Sequence, residues 1–239
     1  MPERRSADLA SIASAAVAAV IVICLWYDRP VASVAACAAI LGLLLRRFND
    51  PRDRVGLLVG AVVGNGIELA CDAAGVWVHA DRSVAGLAPP YILICYPILG
   101  LVLPRLIDAF AAGRTPRGHS AETWPHAALT LAVFVTLSMR FGRDPLPQSI
   151  VCAAFVFVTF RLFHTRRDLA AAVGGAMLAM AWEIPATLAG AWRFPSPQLL
   201  GLIPFWLPAA YAVFFVTMDR IIAAWCEARQ RAMATPSGA

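Results

Sequence analysis

The chain has 239 residues, of which 60% are hydrophobic and only 15% are charged, with a formal net charge of +5. Soluble domains are typically about 45–50% apolar and about 25% charged, so this composition excludes an ordinary soluble domain and indicates a membrane protein. All 20 basic residues are arginine, and a chain without lysine cannot form the retinal Schiff base of a microbial rhodopsin.

The apolar stretches predict eight membrane-spanning helices, since a helix needs about 20 mostly apolar residues to cross a bilayer. The first is too long for a cleavable signal, and no small-residue cleavage site precedes Pro30. These spans use nearly the whole chain and leave little room for a soluble domain. The predicted spans are 7–27, 30–48, 55–77, 87–108, 125–141, 147–163, 169–192 and 200–226.

The arginine residues predict the orientation of these spans. With the N-terminus inside, 15 arginines fall on the inner side of the membrane and 5 on the outer side. Because short inside loops carry an excess of positive charge, both termini are expected in the cytoplasm, with the chain in a bacterial inner membrane. The positive net charge then follows from topology and does not predict nucleic-acid binding.

The two halves of the chain resemble each other at an offset of 115 residues. Without a gap, this alignment gives roughly three times the identities expected from composition, which indicates an internal repeat. The sequence therefore predicts an all-α integral membrane fold of two parallel four-helix repeats, 1–114 and 125–239, with an inside linker at 115–124. Aligned pairs include Pro30/Pro145, Cys37/Cys152, Asp53/Asp168, Glu68/Glu183, Gly75/Gly190, Trp77/Trp192, Gly86/Gly201, Pro89/Pro204, Tyr96/Tyr211 and Arg105/Arg220.

Glu68 and Glu183 occupy equivalent positions in predicted spans three and seven, each nine residues before a tryptophan. At 1.5 Å per residue, each is expected about 13 Å below a tryptophan at the outer membrane surface. A charge near mid-membrane costs about 2.5–3.5 kcal/mol, and such residues usually face the interior of the bundle. Burial favours the neutral acid, which is a proton donor. Both glutamates are candidate catalytic residues, and the alternative is that they only bond a facing helix.

Polar residues surround the first glutamate more than the second. Asn65, Glu68 and Asp72 share one face of a helix, which makes Asp72 a further catalytic candidate and Asn65 a candidate for substrate binding. The equivalent positions of Asn65 and Asp72 in the second half are Met180 and Thr187. This difference predicts that one half carries the chemistry and the other supports it.

Aromatic residues gather near both glutamates in the sequence. A desolvated cation over an aromatic face gains up to about 2 kcal/mol, so an acid beside aromatic walls suits a carbocation reaction of an isoprenoid. Tryptophan and tyrosine at span ends also form interfacial belts, and this alternative stays open for Trp77 and Trp192. The candidate substrate-binding aromatics are Trp77, Tyr91, Tyr96, Trp182, Trp192, Trp206 and Tyr211.

The pattern of a glutamate, six residues, Gly-x-Trp and then Gly-x-x-Pro resembles that of heterodimeric-type lycopene cyclases and carotenoid hydratases. Those lycopene cyclases also carry an acidic pair after the proline, where this chain has Pro90 and Tyr91 after Pro89, and Phe205 and Trp206 in the second half. The resemblance implies a membrane enzyme that acts on an isoprenoid.

The integral-membrane terpene cyclases of meroterpenoid pathways are similar in size. They are small helical proteins with a glutamate in a motif like "AWEI", which this chain spells around Glu183, and an aspartate in the last span, like Asp219 in "TMDRIIAAW". Their glutamate lies early in the chain, as Glu68 does here. The resemblance therefore implies acid roles for Glu68 and Asp219, with Glu183 as a third candidate.

A competing motif is "NDPRD" at 49–53, which resembles the magnesium-binding signature of intramembrane prenyltransferases. The equivalent loop in the second half offers only Asp168, and aspartates in an arginine-rich turn are more often helix caps and ion pairs. The four histidines and six cysteines show no spacing typical of haem or zinc. The sequence thus predicts no metal and no cofactor.

The function expected from the sequence is a metal-independent terpene or carotenoid cyclase, in which a carboxylic acid protonates an alkene or an epoxide. Its partners would be a hydrophobic isoprenoid substrate and membrane lipids, with no nucleic acid. Two alternatives stay open: a proton-coupled carrier of a small hydrophobic or cationic solute, and a structural subunit of a membrane complex.

Overall fold

The structure, a computed structural model, describes residues 2–110 and 120–234, with side chains described for 8–110 and 124–232. It is helical apart from short turns and one pair of two-residue strands, β1 (Val78–His79) and β2 (Trp192–Arg193), which confirms the predicted all-α class. The helices are α1 (Pro2–Trp26), α2 (Pro30–Arg47), α3 (Pro51–Ala73), α4 (Ile92–Phe110), α5 (Ser120–Phe141), α6 (Pro145–Leu162), α7 (Arg166–Ala189) and α8 (Leu207–Ala234).

Seven helices within the described residues are long and apolar enough to cross a membrane, namely all except α5. Of the predicted linker 115–124, residues 115–119 lie outside the described residues. The remaining residues, from Ser120, belong to α5. The N-terminal arginines that support the predicted orientation, Arg4 and Arg5, precede the first described side chain.

The third and seventh helices end earlier than predicted, at Ala73 and Ala189. Gly75 and Gly190 follow them in the left-handed conformation, with φ of +69° and +84°. After each helix, two backbone hydrogen bonds reach back over the last turn, 2.8 and 2.9 Å after α3 and 3.0 and 2.9 Å after α7. These bonds form a Schellman cap, which a left-handed glycine makes possible and which reverses the chain direction.

The fourth and eighth helices begin later than predicted, at Ile92 and Leu207 rather than near 87 and 200. The preceding residues form tight turns, in which antiparallel bridges close around a glycine with positive φ. Because two successive residues in each turn have positive φ, these segments cannot continue a helix.

The helices form an inner group and an outer group. Half or more of the most apolar stretch is buried in α3 (50%), α4 (56%) and α8 (61%). In α1, α2 and α6 only 17% of the corresponding stretch is buried. α7 is intermediate at 33% and packs extensively on α8, as does α5. The helices that carry the two glutamates, α3 and α7, therefore line the middle of the bundle together with α4 and α8.

A π-helical turn, Gly60–Gly64, interrupts α3 where it meets α4. A Cβ atom on Gly64 would lie 2.3 Å from the ring of Tyr96, and one on Gly60 would lie 2.2 Å from the carbonyl oxygen of Tyr96. Small residues in this register let two helix backbones approach closely. The approach places Tyr96 beside the next turn of α3, which carries Glu68.

Two buried ion pairs hold the inner helices at the end where α3 and α7 begin. Arg105 donates to Asp53 at 2.8 and 2.6 Å, and Arg220 donates to Asp168 at 2.7 and 2.6 Å. Asp53 and Asp168 also complete the N-terminal capping boxes of α3 and α7. The aspartates of "NDPRD" thus serve as helix caps and ion-pair partners. Asp53 thereby joins the start of α3 to α4, and Asp168 joins the start of α7 to α8.

Four further charges form a second cluster at this end, which we call the charge ring: Arg52, Asp108, Arg167 and Asp219. Arg167 binds both carboxylate oxygens of Asp219 at 2.6 Å and also contacts Asp108. Arg52 lies 2.5 Å from Asp108 and 3.8 Å from Asp219. Asp219 is 2% exposed, so the ring compensates a charge that burial would otherwise penalise.

Gly64→Ala is expected to lower the free energy of unfolding by about 1–3 kcal/mol, because the added methyl group would overlap the ring of Tyr96. Thermal unfolding in detergent measures the effect. The matched control is Gly66→Ala on the same helix, where a Cβ would meet nothing within 4 Å. Equal stability of the two variants would contradict the close packing of α3 on α4.

Asp219→Asn is expected to lower the free energy of unfolding by about 3 kcal/mol, since it leaves the buried guanidinium of Arg167 without its bidentate partner. Asp8→Asn removes the exposed ion pair with Arg47 and should cost less than about 1 kcal/mol. Equilibrium unfolding of both variants gives the comparison, and similar costs would show that the charge ring does not stabilise the fold.

Candidate acid-aromatic site

Glu68 is buried and hydrogen-bonded through both carboxylate oxygens. The indole N–H of Trp77 donates to Oε1 at 2.8 Å, and the hydroxyl of Tyr96 donates to Oε2 at 2.6 Å. Hydrogen bonds to a charged group are worth roughly 1.5–3 kcal/mol each, so they offset much of the cost of burying the carboxylate.

Glu183 has the same set of partners in the other half of the chain. The indole N–H of Trp192 donates to Oε2 at 2.7 Å, and the hydroxyl of Tyr211 donates to Oε1. In both sets the tryptophan follows the glutamate by 9 residues and the tyrosine follows it by 28. We call these two sets the first and second triads.

The glycine caps explain the spacing within each triad. After α3 ends, the left-handed Gly75 turns the chain back, so that Trp77 returns its indole to a glutamate two turns earlier on the helix. The expectation that Glu68 lies about 13 Å below this tryptophan is therefore wrong. The residues between them do not continue as a helix, and the two side chains touch.

The two chain reversals meet in the antiparallel strand pair. Val78 pairs with Arg193 and His79 with Trp192. The ring of His79 packs edge-on against Trp192 at 5.6 Å, and the ring of Phe194 packs against Trp77 at 6.4 Å. Each triad's tryptophan therefore contacts a ring from the opposite half of the chain, and the strand pair brings both triads to the same end of the bundle.

His79 is the functional candidate that sequence reasoning missed. Its Nε2 lies 3.1 Å from Oε1 of Glu68, and its Nδ1 lies 3.5 Å from Oδ2 of Asp72. The available signal was its place two residues after Trp77, which puts the two side chains on one face of a strand. In the second half, the residue two after the tryptophan is Phe194, which cannot carry charge.

Burial opposes a positive charge on His79, but the neighbouring carboxylates of Asp72 and Glu68 outweigh it and raise the pKa of His79 to about 9. Asp72 itself is 2% exposed, and neither of its carboxylate oxygens has another close hydrogen-bond partner. The first triad thus continues into a buried Glu68–His79–Asp72 cluster that the second triad lacks.

Both triads line one cavity between α3, α4, α7 and α8, which we call the central cavity. Its volume is about 60 Å³, enough for about four to six water-sized groups at roughly 10–15 Å³ each. His79, Trp182 and Phe215 complete its polar and aromatic lining. The cavity therefore combines two carboxyl groups, one imidazole and six aromatic rings of tryptophan, tyrosine and phenylalanine.

A second cavity of similar size, the apolar cavity, shares Trp77, Tyr96 and Tyr211 with the central cavity. Apart from Ser138, the rest of its lining is apolar and comes from α3, α5, α8 and the segments that flank α3 and α8. Because these rings are shared, the apolar cavity lies directly beside the carboxyl groups of the central cavity.

Other predicted site residues lie in several places. Trp182 lines the central cavity and Trp206 lines the apolar cavity. Asn65 donates to the carbonyl oxygens of Ala61 and Leu93 and so joins α3 to the start of α4. Tyr91 is fully buried and, like Asn65, lines neither cavity.

Asp219, the other predicted acid, lies in the charge ring and not with the glutamates. It follows Tyr211 by two turns of α8, a rise of about 12 Å. Its carboxylate forms a buried ion pair with Arg167. The structure thus separates Asp219 from the central cavity.

Among the described residues, no group of three or more histidine, cysteine or acidic side chains could hold a metal ion. The central cavity itself presents carboxyl, imidazole and phenol groups with aromatic walls. Such groups can donate and accept protons and can stabilise positive charge.

No protein family model matches the sequence, and no curated protein matches it. Among solved structures, the fold is similar to that of a chain in the crystal structure of a cross-linked MvINS trimer. The two chains are 19% identical with a TM-score of 0.60, and the match covers 77% of this chain and 98% of that one. At this identity the similarity shows a shared fold alone.

The pKa of His79 predicts how stability depends on pH. Since the folded value of about 9 exceeds the unfolded value of about 6.5, the contribution of His79 is fully present below pH 6.5 and is lost as the pH rises through 9. The loss is up to about 3 kcal/mol. His79→Phe, which introduces the residue found at the equivalent position 194, should make the free energy of unfolding less dependent on pH between about 6.5 and 9. The same pH dependence in this variant and in wild type would contradict the role assigned to His79.

Proposed function

We propose that the chain is a membrane-embedded, metal-independent isoprenoid cyclase, in which Glu183 donates the first proton and Glu68, held beside His79, receives the last. The observation that carries the proposal is that two hydrogen-bonded glutamates line one cavity whose other walls are mainly aromatic. The resemblance of the glutamate, Gly-x-Trp and Gly-x-x-Pro pattern to carotenoid and meroterpenoid enzymes favours the same substrate class.

The proposed architecture is eight membrane-spanning helices in two parallel four-helix repeats, with both termini on the cytoplasmic side. Paired contacts at an offset of 115 residues support the repeat, since both triads, both capping boxes and both arginine–aspartate pairs recur. In the strand pair, Val78 meets Arg193, its own equivalent, so a pseudo-twofold relation between the halves accounts for the pairing. A bacterial inner membrane fits the arginine distribution.

The assignment of Glu183 as the acid rests on the difference between the halves. Nε2 of His79 lies 3.1 Å from Oε1 of Glu68, so Glu68 has a basic partner within ion-pair distance. Glu183 makes no ion pair among the described residues, because Phe194 replaces the histidine. Burial without a cationic partner favours the neutral acid, which is the form that donates a proton.

The proposed reaction is an isomerisation that balances without a co-reactant. The proton of Glu183 adds to an alkene carbon or an epoxide oxygen, and the electron-deficient carbon is attacked by a second alkene of the same molecule to close a ring. Loss of a proton from the carbon beside the final cation, to Glu68, forms the new alkene. Since donor and acceptor line one cavity, the proton can return to Glu183 between turnovers.

The aromatic walls would stabilise the cation while excluding water. Trp182 and Phe215 have no bond to either glutamate, so they are available to face a ligand. The hydrogen-bond partners of both glutamates lie within this chain, which weighs against the alternative that these residues only bond a partner subunit.

The test supplies linear prenylated substrates and their epoxides to reconstituted protein in deuterated water. Wild type should yield an isomer that is one deuterium heavier by mass spectrometry. Glu183→Gln should lower the rate by about 10²–10⁴, the usual contribution of a general acid, and Glu68→Gln should slow the final deprotonation.

The matched control is Glu227→Gln, which makes the same change on α8 outside both cavities. A labelled isomer whose rate is unaffected by Glu183→Gln would contradict the assigned acid. No isomer from folded wild type across the panel would favour a proton-coupled carrier, which is then tested by flux across vesicles.

A further inference from the structure

We propose that the central cavity is a binding site for the head group of an amphiphilic tertiary or quaternary amine, with its hydrocarbon tail in the apolar cavity. This binding needs no turnover, so it goes beyond the proposed reaction. The ligand class follows from which groups the cavity leaves available, from its acidic groups and from the adjacent apolar cavity, which shares three of its lining residues.

The polar donors of the two triads are already used. Both indole N–H groups and both tyrosine hydroxyls of the triads donate to the glutamates. A ligand therefore meets mainly carboxyl oxygens and the faces of aromatic rings, with the indole N–H of Trp182 as a further donor. Such a surface has little to offer a carboxylate or a phosphate, since anions need donors.

The charge of the cavity is also suited to a cation. Glu68 and Glu183 line it, Asp72 lies directly behind, and the only basic side chain in its described lining is His79. No arginine or lysine lines it, although Arg143, bound to the C-terminal end of α3, and Arg193 in β2 lie at the same end of the bundle outside that lining. Three acidic groups therefore stand against one imidazole.

The walls favour an alkylated amine over a primary one. Trp77, Trp182 and Trp192 line the cavity with Tyr96, Tyr211 and Phe215. A cation enclosed by such faces is attracted to their negative surfaces, and aromatic cages of this kind recognise quaternary ammonium groups. An alkylated head also needs few hydrogen bonds, which matches a cavity in which the donors of both triads are occupied.

The two cavities together fit a head group with a tail. The central cavity has room for about four to six water-sized groups, and a trimethylammonium head has four heavy atoms. The apolar cavity lies on the other side of the shared rings of Trp77, Tyr96 and Tyr211, between α3, α5 and α8, and has a similar volume. The first four to six carbons of an alkyl chain attached to the head, roughly what this volume holds, would therefore lie against apolar side chains.

The experiment measures binding of radiolabelled dodecyltrimethylammonium, below its micellar concentration, to the protein in lipid nanodiscs, with empty nanodiscs as the baseline. Saturable binding is expected, and excess unlabelled dodecanol, which has the tail without the charge, should not displace it. Partition without saturation, or equal displacement by dodecanol, would overturn the proposal.

Trp182→Leu should weaken binding at least tenfold and Trp182→Phe should restore most of it, because Trp182 lines the cavity without bonding a glutamate. Trp225→Leu is the control, since this tryptophan of α8 is exposed and lines neither cavity. Glu68→Gln with Glu183→Gln removes both carboxyl groups that line the cavity and should also weaken binding at least tenfold. Equal affinity of folded Trp182→Leu and wild type would contradict the aromatic site.

The outcomes separate this proposal from the cyclase. Saturable ammonium binding with no labelled isomer would support the cation site and overturn the enzyme. A labelled isomer without saturable ammonium binding would support the enzyme and overturn the cation site.

Discussion

The arrangement of this protein depends on the hydrogen bonding of two carboxyl groups inside an apolar bundle. A buried carboxyl group is costly unless its oxygens have partners, and here each glutamate receives an indole N–H and a phenol O–H. Each carboxyl group and its two donors come from three successive parts of the chain: the helix, the segment after its glycine cap and the following helix. Satisfying one carboxyl group therefore sets the position of two helices and the reversal between them.

At the opposite end of the bundle, buried carboxylates are stabilised by ion pairs with arginine. The capping aspartates of α3 and α7 are bound by arginines of α4 and α8, and the charge ring ties all four inner helices together. Breaking one partner would leave a buried charge, so these contacts hold the helix starts in one arrangement. The inner helices are thus joined by charged pairs at one end and by acid–aromatic bonds towards the other, with the central cavity beside those bonds.

The two halves of the chain surround their glutamates differently. The first triad continues into His79 and Asp72, whereas Phe194 and Thr187 occupy the equivalent positions after the second. Two carboxyl groups with nearly the same hydrogen bonds therefore meet different electrostatic surroundings. In the proposed reaction this separates the proton donor from the acceptor, and in the proposed amine site it leaves an excess of acidic groups around the cavity.

The sequence by itself determined the all-α class, the approximate helix positions and the two glutamates with their tryptophans and tyrosines. These follow from hydropathy, helix length and the recurrence of Glu68, Gly75, Trp77 and Tyr96 after 115 residues. Such signals are local or periodic, so they can be read along the chain.

Only the tertiary structure decided which of these residues touch. Counting helical rise placed Trp77 far from Glu68, because a single left-handed glycine reverses the chain and no periodicity reports that reversal. The roles of His79 and Asp219 depended in the same way on contacts with helices distant in sequence. A buried charge takes whichever partner the packing brings within reach, and that is a property of the folded chain and not of spacing.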